Sequence, residues 1–203
     1  MGLSEWVLLA VGLVLILGWW LWRQAERVDR LHRTVLASRA TLDTQLVQRA
    51  AAASALATSG ALDPASAVLL ADVAHRALEV APEHVTRDGL EGALADAVTG
   101  GPTPRHEAAV GRVTRESELS RALRTVLGEA ADRAQLREDP RAEGPLDDLD
   151  HAWYRVQLAR RFHNAHVAEV RRLRQRPVVR TLRLAGRAPM PEPIELDDRR
   201  PPD

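Results

Sequence analysis

No cysteine occurs in the 203 residues, which excludes disulfides, thiol nucleophiles and thiolate-bound zinc or iron–sulfur centres. Lysine is missing as well: all 28 basic residues are arginine, a bias of coding composition rather than of physics. Aromatic residues make up only 3% of the chain, and Trp6, Trp19, Trp20 and Trp22 account for four of the seven. The interior must therefore be built from alanine, leucine and valine. Basic and acidic residues balance at 28 each, so no global positive field recruits nucleic acid, and a nucleic-acid partner is not expected. There is no glycine-rich phosphate loop, no His-Glu-x-x-His and no Gly-x-Ser-x-Gly, and Gly100-Gly101-Pro102 lies in a connection rather than between a strand and a helix. No alternating strand pattern of useful length is evident.

What the chain does have is an unbroken apolar run from Trp6 to Trp22, with Arg23 immediately behind it. At about 1.5 Å per residue this run, with the residues just before it, approaches the ~30 Å hydrocarbon core of a bilayer, enough for one span. Its ten leucine, isoleucine and valine residues favour insertion by about 3 to 6 kcal/mol in sum. A cleaved signal peptide needs a basic flank before the run and small residues after it; here Glu5 precedes it and three tryptophans close it. Tryptophan at both ends marks two membrane interfaces, where it is enriched, and argues against a buried core helix. Residues 5–23 thus read as a transmembrane anchor with Trp6, Trp19, Trp20, Trp22 and Arg23 at its interfaces. Arg23, Arg27, Arg30, Arg33 and Arg39 follow the run and none precedes it, so the amino terminus is expected outside and the C-terminal domain in the cytoplasm.

Residues 24–188 read as a helical domain. Val28, Leu31, Val35, Leu42, Leu46, Ala53 and Leu56 recur at helical spacing, and no proline or glycine stands between Gly18 and Gly60. One rod of some 50 residues, anchor included, is expected to run to about Thr58. Asp63-Pro64 caps a second helix that ends near Pro82, paired with the first as a hairpin. A flexible insert around 82–104 holds a short helix through Leu90, Leu94 and Val98. A third helix is expected from His106 to just before Asp139-Pro140, with Gly144-Pro145 as a turn. The fourth spans Leu146 to Arg176, and one or two further turns follow over Val178 to Leu184. Residues 189–203 read as an extended or disordered tail, with disorder expected from Asp197 onward. The fold class is all-α: a transmembrane helix continuing into a long-helix antiparallel four-helix bundle.

Two segments resemble the LemA family of bacterial membrane-anchored helical proteins. Leu42-Asp43-Thr44-Gln45-Leu46-Val47-Gln48-Arg49 is similar to that family's Ile-Asp-x-x-Leu-x-x-Arg stretch. Ala159-Arg160-Arg161-Phe162-His163-Asn164-Ala165-His166-Val167, with the later Pro177, is similar to its Ala-Arg-x-x-Tyr-Asn-x-x-Val run. His163 replaces the tyrosine, Val170-Arg171 stands where a second Tyr-Asn pair is expected, and Ala50 to Ala53 replace an Asp-Leu-Ile-Pro segment. The resemblance implies the anchor, the bundle and the cytoplasmic orientation, and no reaction.

Physically, the matching residues border apolar stripes, so Asp43, Gln45, Arg49, Arg160 and Asn164 are expected to form a polar layer in which Asp43 or another acid pairs Arg49 or Arg160. The alternative is that these arginines reach out to solvent. His163 and His166, one turn apart with Glu169, and with His151, Asp147, Asp148 and Asp150 upstream, are the best metal-ligand set, yet a core or surface role for the histidines is the simpler reading. The arginines from Arg171 to Arg176, with Arg180 and Arg183, suit an anionic lipid or acidic partner, or a solvated helix end. The expected function is non-enzymatic and cofactor-free: a scaffold whose partners are the lipid bilayer, an unidentified protein and a second copy of itself. A regulatory subunit of a membrane enzyme or transporter is the runner-up, followed by a histidine-based metal binder.

Overall fold

The computed structural model describes residues 3–80, 104–182 and 190–200, and those residues contain helices and no strand. The first helix, α1 (Leu3–Thr58), is a single uninterrupted rod of 56 residues, roughly 84 Å long at 1.5 Å per residue. Its continuity follows from the absence of any proline or glycine after Gly18. It ends where Gly60 takes the left-handed conformation at φ 76°, as a chain-reversing glycine should. Asp63 then accepts hydrogen bonds from the Ala65 and Ser66 amides at 3.0 and 3.1 Å, and Pro64 opens α2 (Pro64–Glu79).

After the connection come α3 (Pro104–Val126), α4 (Ala130–Glu138), α5 (Pro140–Arg174) and the single turn-and-a-half of α6 (Pro177–Thr181). Two boundaries differ from expectation. The third helix is not continuous to Asp139 but breaks at residues 127–129, where Gly128 comes so close to the Arg124 carbonyl that a residue with a Cβ would collide with it. The fourth begins at Pro140 rather than Leu146: Asp139 caps it by accepting from the Arg141 amide at 2.9 Å, and the helix runs straight through Gly144-Pro145. Pro145 removes only one amide donor near the helix start, a loss the packed face beyond it outweighs. The short helix expected inside 82–104 lies outside the described residues.

The core explains the layout. Toward the far end of α1, Ala53 and Leu56 pack with Leu70, Val73, Ala74 and Ala77 of α2, Leu119 and Leu123 of α3, and Leu146, Leu149 and Trp153 of α5. Alanine on both α1 and α2 lets those two axes approach closely. Moving back along α1, Leu42 and Leu46 meet Val156 and Ala159, Val35 meets Val167 and Val170, and Val28 meets Leu173 and Val179. Numbers rise along one helix as they fall along the other, so α1 and α5 run antiparallel. Helices α1 to α5 share one core only at the far end; nearer Val28 the core is α1 with α5 and α6.

Before Val28 the surroundings change. The large apolar residues from Trp6 to Trp22 are exposed, from 41% at Trp20 to 73% at Leu8, with Leu21 alone partly covered. Among the described residues this is the one helix long and apolar enough to cross a membrane. The described tail, residues 190–200, is extended, but it is not disordered from Asp197 onward: Ile194, Leu196 and Asp198 are buried against the helices.

Candidate functional site

Two arginine centres, the first buried and the second partly open, lie at successive levels along the helical body. In the first, Arg49 of α1 is fully buried and donates to Ser120 Oγ at 2.9 Å, to the Glu116 carbonyl at 3.1 Å and to Glu116 Oε2 at 3.0 Å. Its guanidinium also lies over the Trp153 ring, 5.8 Å from the centroid. Arg112, likewise fully buried, is 4.0 Å from Glu116 and 3.8 Å from Asp43, and donates to the Val80 carbonyl at 3.3 Å. Two arginines thus alternate with two carboxylates, and the pairing meets the condition under which buried charge is tolerated. Of the acids that could pair Arg49, the one in place is Glu116, while Asp43 lies beside Arg112. Gln45 is half-buried and joined to neither centre by a hydrogen bond among the described residues.

The second centre is built on α5 and filled by the tail. Arg160 grips Asp198 with both ends of its fork, Nε to Oδ2 at 2.7 Å and an Nη to Oδ1 at 2.9 Å. Asn164 reads the peptide backbone reciprocally: its Nδ2 donates to the Ile194 carbonyl at 3.1 Å while its Oδ1 accepts from the Ile194 amide at 2.9 Å. Trp153 Nε1 and Gln157 Nε2 both donate to the Asp198 carbonyl, at 2.9 and 2.7 Å. Ile194 and Leu196 enter the apolar strip formed by Leu42, Leu46, Val156 and Ala159.

The outer ends of the tail are tied too. Arg171 donates to the Pro191 carbonyl at 3.2 Å, Arg124 pairs with Asp197 at 2.7 Å, and Arg200 reaches Asp150 at 3.1 Å, a carboxylate that also takes Arg133 and Arg137. The register is that of an extended strand antiparallel to a helix. From Arg171 to Asp150 the helix advances about 31 Å, and from Pro191 to Arg200 an extended chain covers about 30 Å. At Asp197, burial is the largest single influence and pushes its carboxyl upward, but the Arg124 hydrogen bond and charge, with the Arg199 backbone and charge, outweigh it and hold the group below its ordinary value.

The sequence-stated interface residues all lie on the exposed part of α1: Trp6, Trp19, Trp20 and Trp22 project from the helix, and Arg23 folds back over the Trp19 ring at 4.9 Å. His163 is buried, its Nδ1 3.0 Å from Ser38 Oγ, so it packs against α1 while His166 stays partly exposed. No group of three or more His, Asp or Glu among the described residues is placed to hold a metal ion.

Glu116, Ser120, Arg112, Trp153, Gln157 and Asp198 complete the two centres and were not named from sequence. A signal existed for some. Extending the Leu123–Leu119 stripe backward by helical steps reaches Glu116 and Arg112, so the charges stand at core positions. Ile194-Glu195-Leu196-Asp197-Asp198 alternates apolar and acidic residues with the period of a strand. No family model, curated protein or solved structure matches the chain.

Proposed function

We propose that this chain is a single-pass membrane protein of LemA type whose four antiparallel helices form a cytoplasmic module that scaffolds or recruits other proteins and performs no reaction of its own. The observation that carries this reading is the change of surroundings along α1. One rigid helix is covered by other helices from Val28 to Leu56, whereas from Trp6 to Trp22 its large apolar side chains, Leu21 apart, are exposed among the described residues. Exposing so many leucine, isoleucine and tryptophan side chains to water is unfavourable by roughly 25 cal/mol per Å² of apolar area, and a bilayer removes that cost. Tryptophan at both ends of the stretch and arginine only behind it support one span with the helical body on the cytoplasmic side.

A second feature supports lipid as a partner. Leu173 and Val179 pack on Val28, which brings exposed Arg172, Arg176 and Arg180 to the same end of the helical body as Arg23 and Arg27. Such a cationic rim suits the anionic cytoplasmic leaflet. The test is a topology reporter fused after Asp203, with carbonate extraction of the membranes. The chain should stay in the pellet and the reporter should be active only in the cytoplasm; release by carbonate, or activity outside, defeats the reading. A Gly-Ser insertion after Gln24 separates anchor from lever. If the rigid continuation matters, partner recruitment falls although membrane retention does not.

A further inference from the structure

We propose that the groove on α5 is a recognition site for an extended acidic peptide, which the chain's own residues 194–198 occupy in cis and which a partner segment of the same pattern can occupy in trans. This goes beyond the membrane-scaffold reading and does not require it.

Three observations separate the site from ordinary core packing. Its polar contacts read a peptide as such. Asn164 engages both backbone groups of one residue, Trp153 and Gln157 converge on a second carbonyl four residues later, and Arg160 clamps the carboxylate of that same later residue. Backbone readout accepts many sequences; the fork of Arg160 and the apolar strip select them. Burial along the occupant then alternates, with Ile194, Leu196 and Asp198 inward and Glu195 outward, so the pattern demanded is apolar-x-apolar-x-Asp in extended form. Finally, the helical body is held without the segment. The clusters around Leu56, Val35 and Val28 include no tail residue, and Leu42 and Leu46 keep Val156 and Ala159 as partners. An occupant whose removal takes no member from three of the four apolar clusters is exchangeable.

A tethered occupant faces its groove at an effective concentration on the order of millimolar, so the intact chain should resist a free peptide. The experiment uses the full chain in detergent micelles and a fluorescein-labelled peptide of residues 190–200, followed by anisotropy. The double variant Ile194→Ser with Leu196→Ser vacates the groove. It should bind the peptide at least about tenfold more tightly than the unaltered chain does, because the competitor in cis has been weakened. Adding Arg160→Gln to that variant, or placing Asp198→Asn in the peptide, should each remove most of the gain. A vacated chain of native helix content that ignores the peptide overturns the proposal, as does equal binding of a scrambled peptide.

Should the double variant lose its helices, amide exchange on the unaltered chain decides instead. The Ile194 amide is expected to exchange through a local opening, at least about tenfold faster than the amides at the centre of α5. Exchange of Ile194 only together with those amides makes the segment an inseparable part of the core and sinks the idea.

Discussion

Arg49 and Arg160 stand in similar sequence settings, each bordering an apolar stripe, yet they solve the problem of a partly or wholly buried guanidinium in different ways. Arg49 is met by another helix: Glu116 and Ser120 are held rigidly on α3, and Arg112 extends the network to Asp43. Arg160 keeps a quarter of its side chain exposed and is met by an extended segment that enters one of the four apolar clusters. The difference teaches that one charge locks the helices to each other while the other holds something that can leave. Helix-to-helix pairing and helix-to-tail pairing should therefore fail differently when their acids are removed.

The largest effect is expected at Glu116. Glu116→Gln takes away the carboxylate that Arg49 and Arg112 share in a fully buried setting, which should destabilise the whole helical body by about 3 to 5 kcal/mol. Urea unfolding of the full chain in micelles, followed by helical circular dichroism, measures it; a loss below about 1 kcal/mol would make the two centres equivalent. Asp198→Asn comes next. It removes a bidentate charge pair that is partly open to water, and about 1.5 to 3 kcal/mol should be lost from the attachment of the tail. The helix unfolding midpoint should barely move, while a protease should cut near residues 190–200 sooner. Asn164→Ala should act in the same direction with about 1 to 2 kcal/mol, seen as faster exchange of the Ile194 amide. Parallel falls in the helix midpoint for all three variants would erase the distinction between the centres.

The same contrast sets how much could be read in advance. The continuous α1, the glycine stop at Gly60 and the Asp63-Pro64 start are dictated by residues within a few positions of each other, and they were legible. The break at Gly128 was not, because Leu123, Val126, Leu127 and Ala130 keep helical spacing across it, and periodicity does not record the close approach to the Arg124 carbonyl that glycine permits there. Gly144-Pro145 misled in the opposite sense: a proline near a helix start loses one hydrogen bond, too little to end a helix whose apolar face continues through Leu146 and Leu149. Arg49 and Arg160 could be picked out as charges beside a core, but their partners lie 67 and 38 residues away. For Arg160 the partner sits in a proline-rich acidic stretch whose composition reads as disorder. Composition reports the conformational freedom of a segment alone; it says nothing of a groove built elsewhere to receive it.

The smallest effect concerns the outer tie of the tail and is best read through acid. Asp197 is held below its ordinary value because Arg124 and the Arg199 backbone and charge together exceed the opposing influence of burial. A depressed carboxyl contributes stability that is present above its unfolded value, near about 4, and is lost as pH falls through the lower folded value. Arg124→Gln removes the principal opposing charge and leaves the burial, so the Asp197 carboxyl should titrate at higher pH than in the unaltered chain, as followed by carbon NMR of the side chain. Because the pair is open to solvent, the stability difference between the two chains should not exceed about 1 kcal/mol at neutral pH. It should vanish once the pH is low enough to protonate Asp197 in both. A difference that persists undiminished in acid would mean that Arg124 holds the tail through its hydrogen bond to the Arg199 carbonyl rather than through the carboxylate.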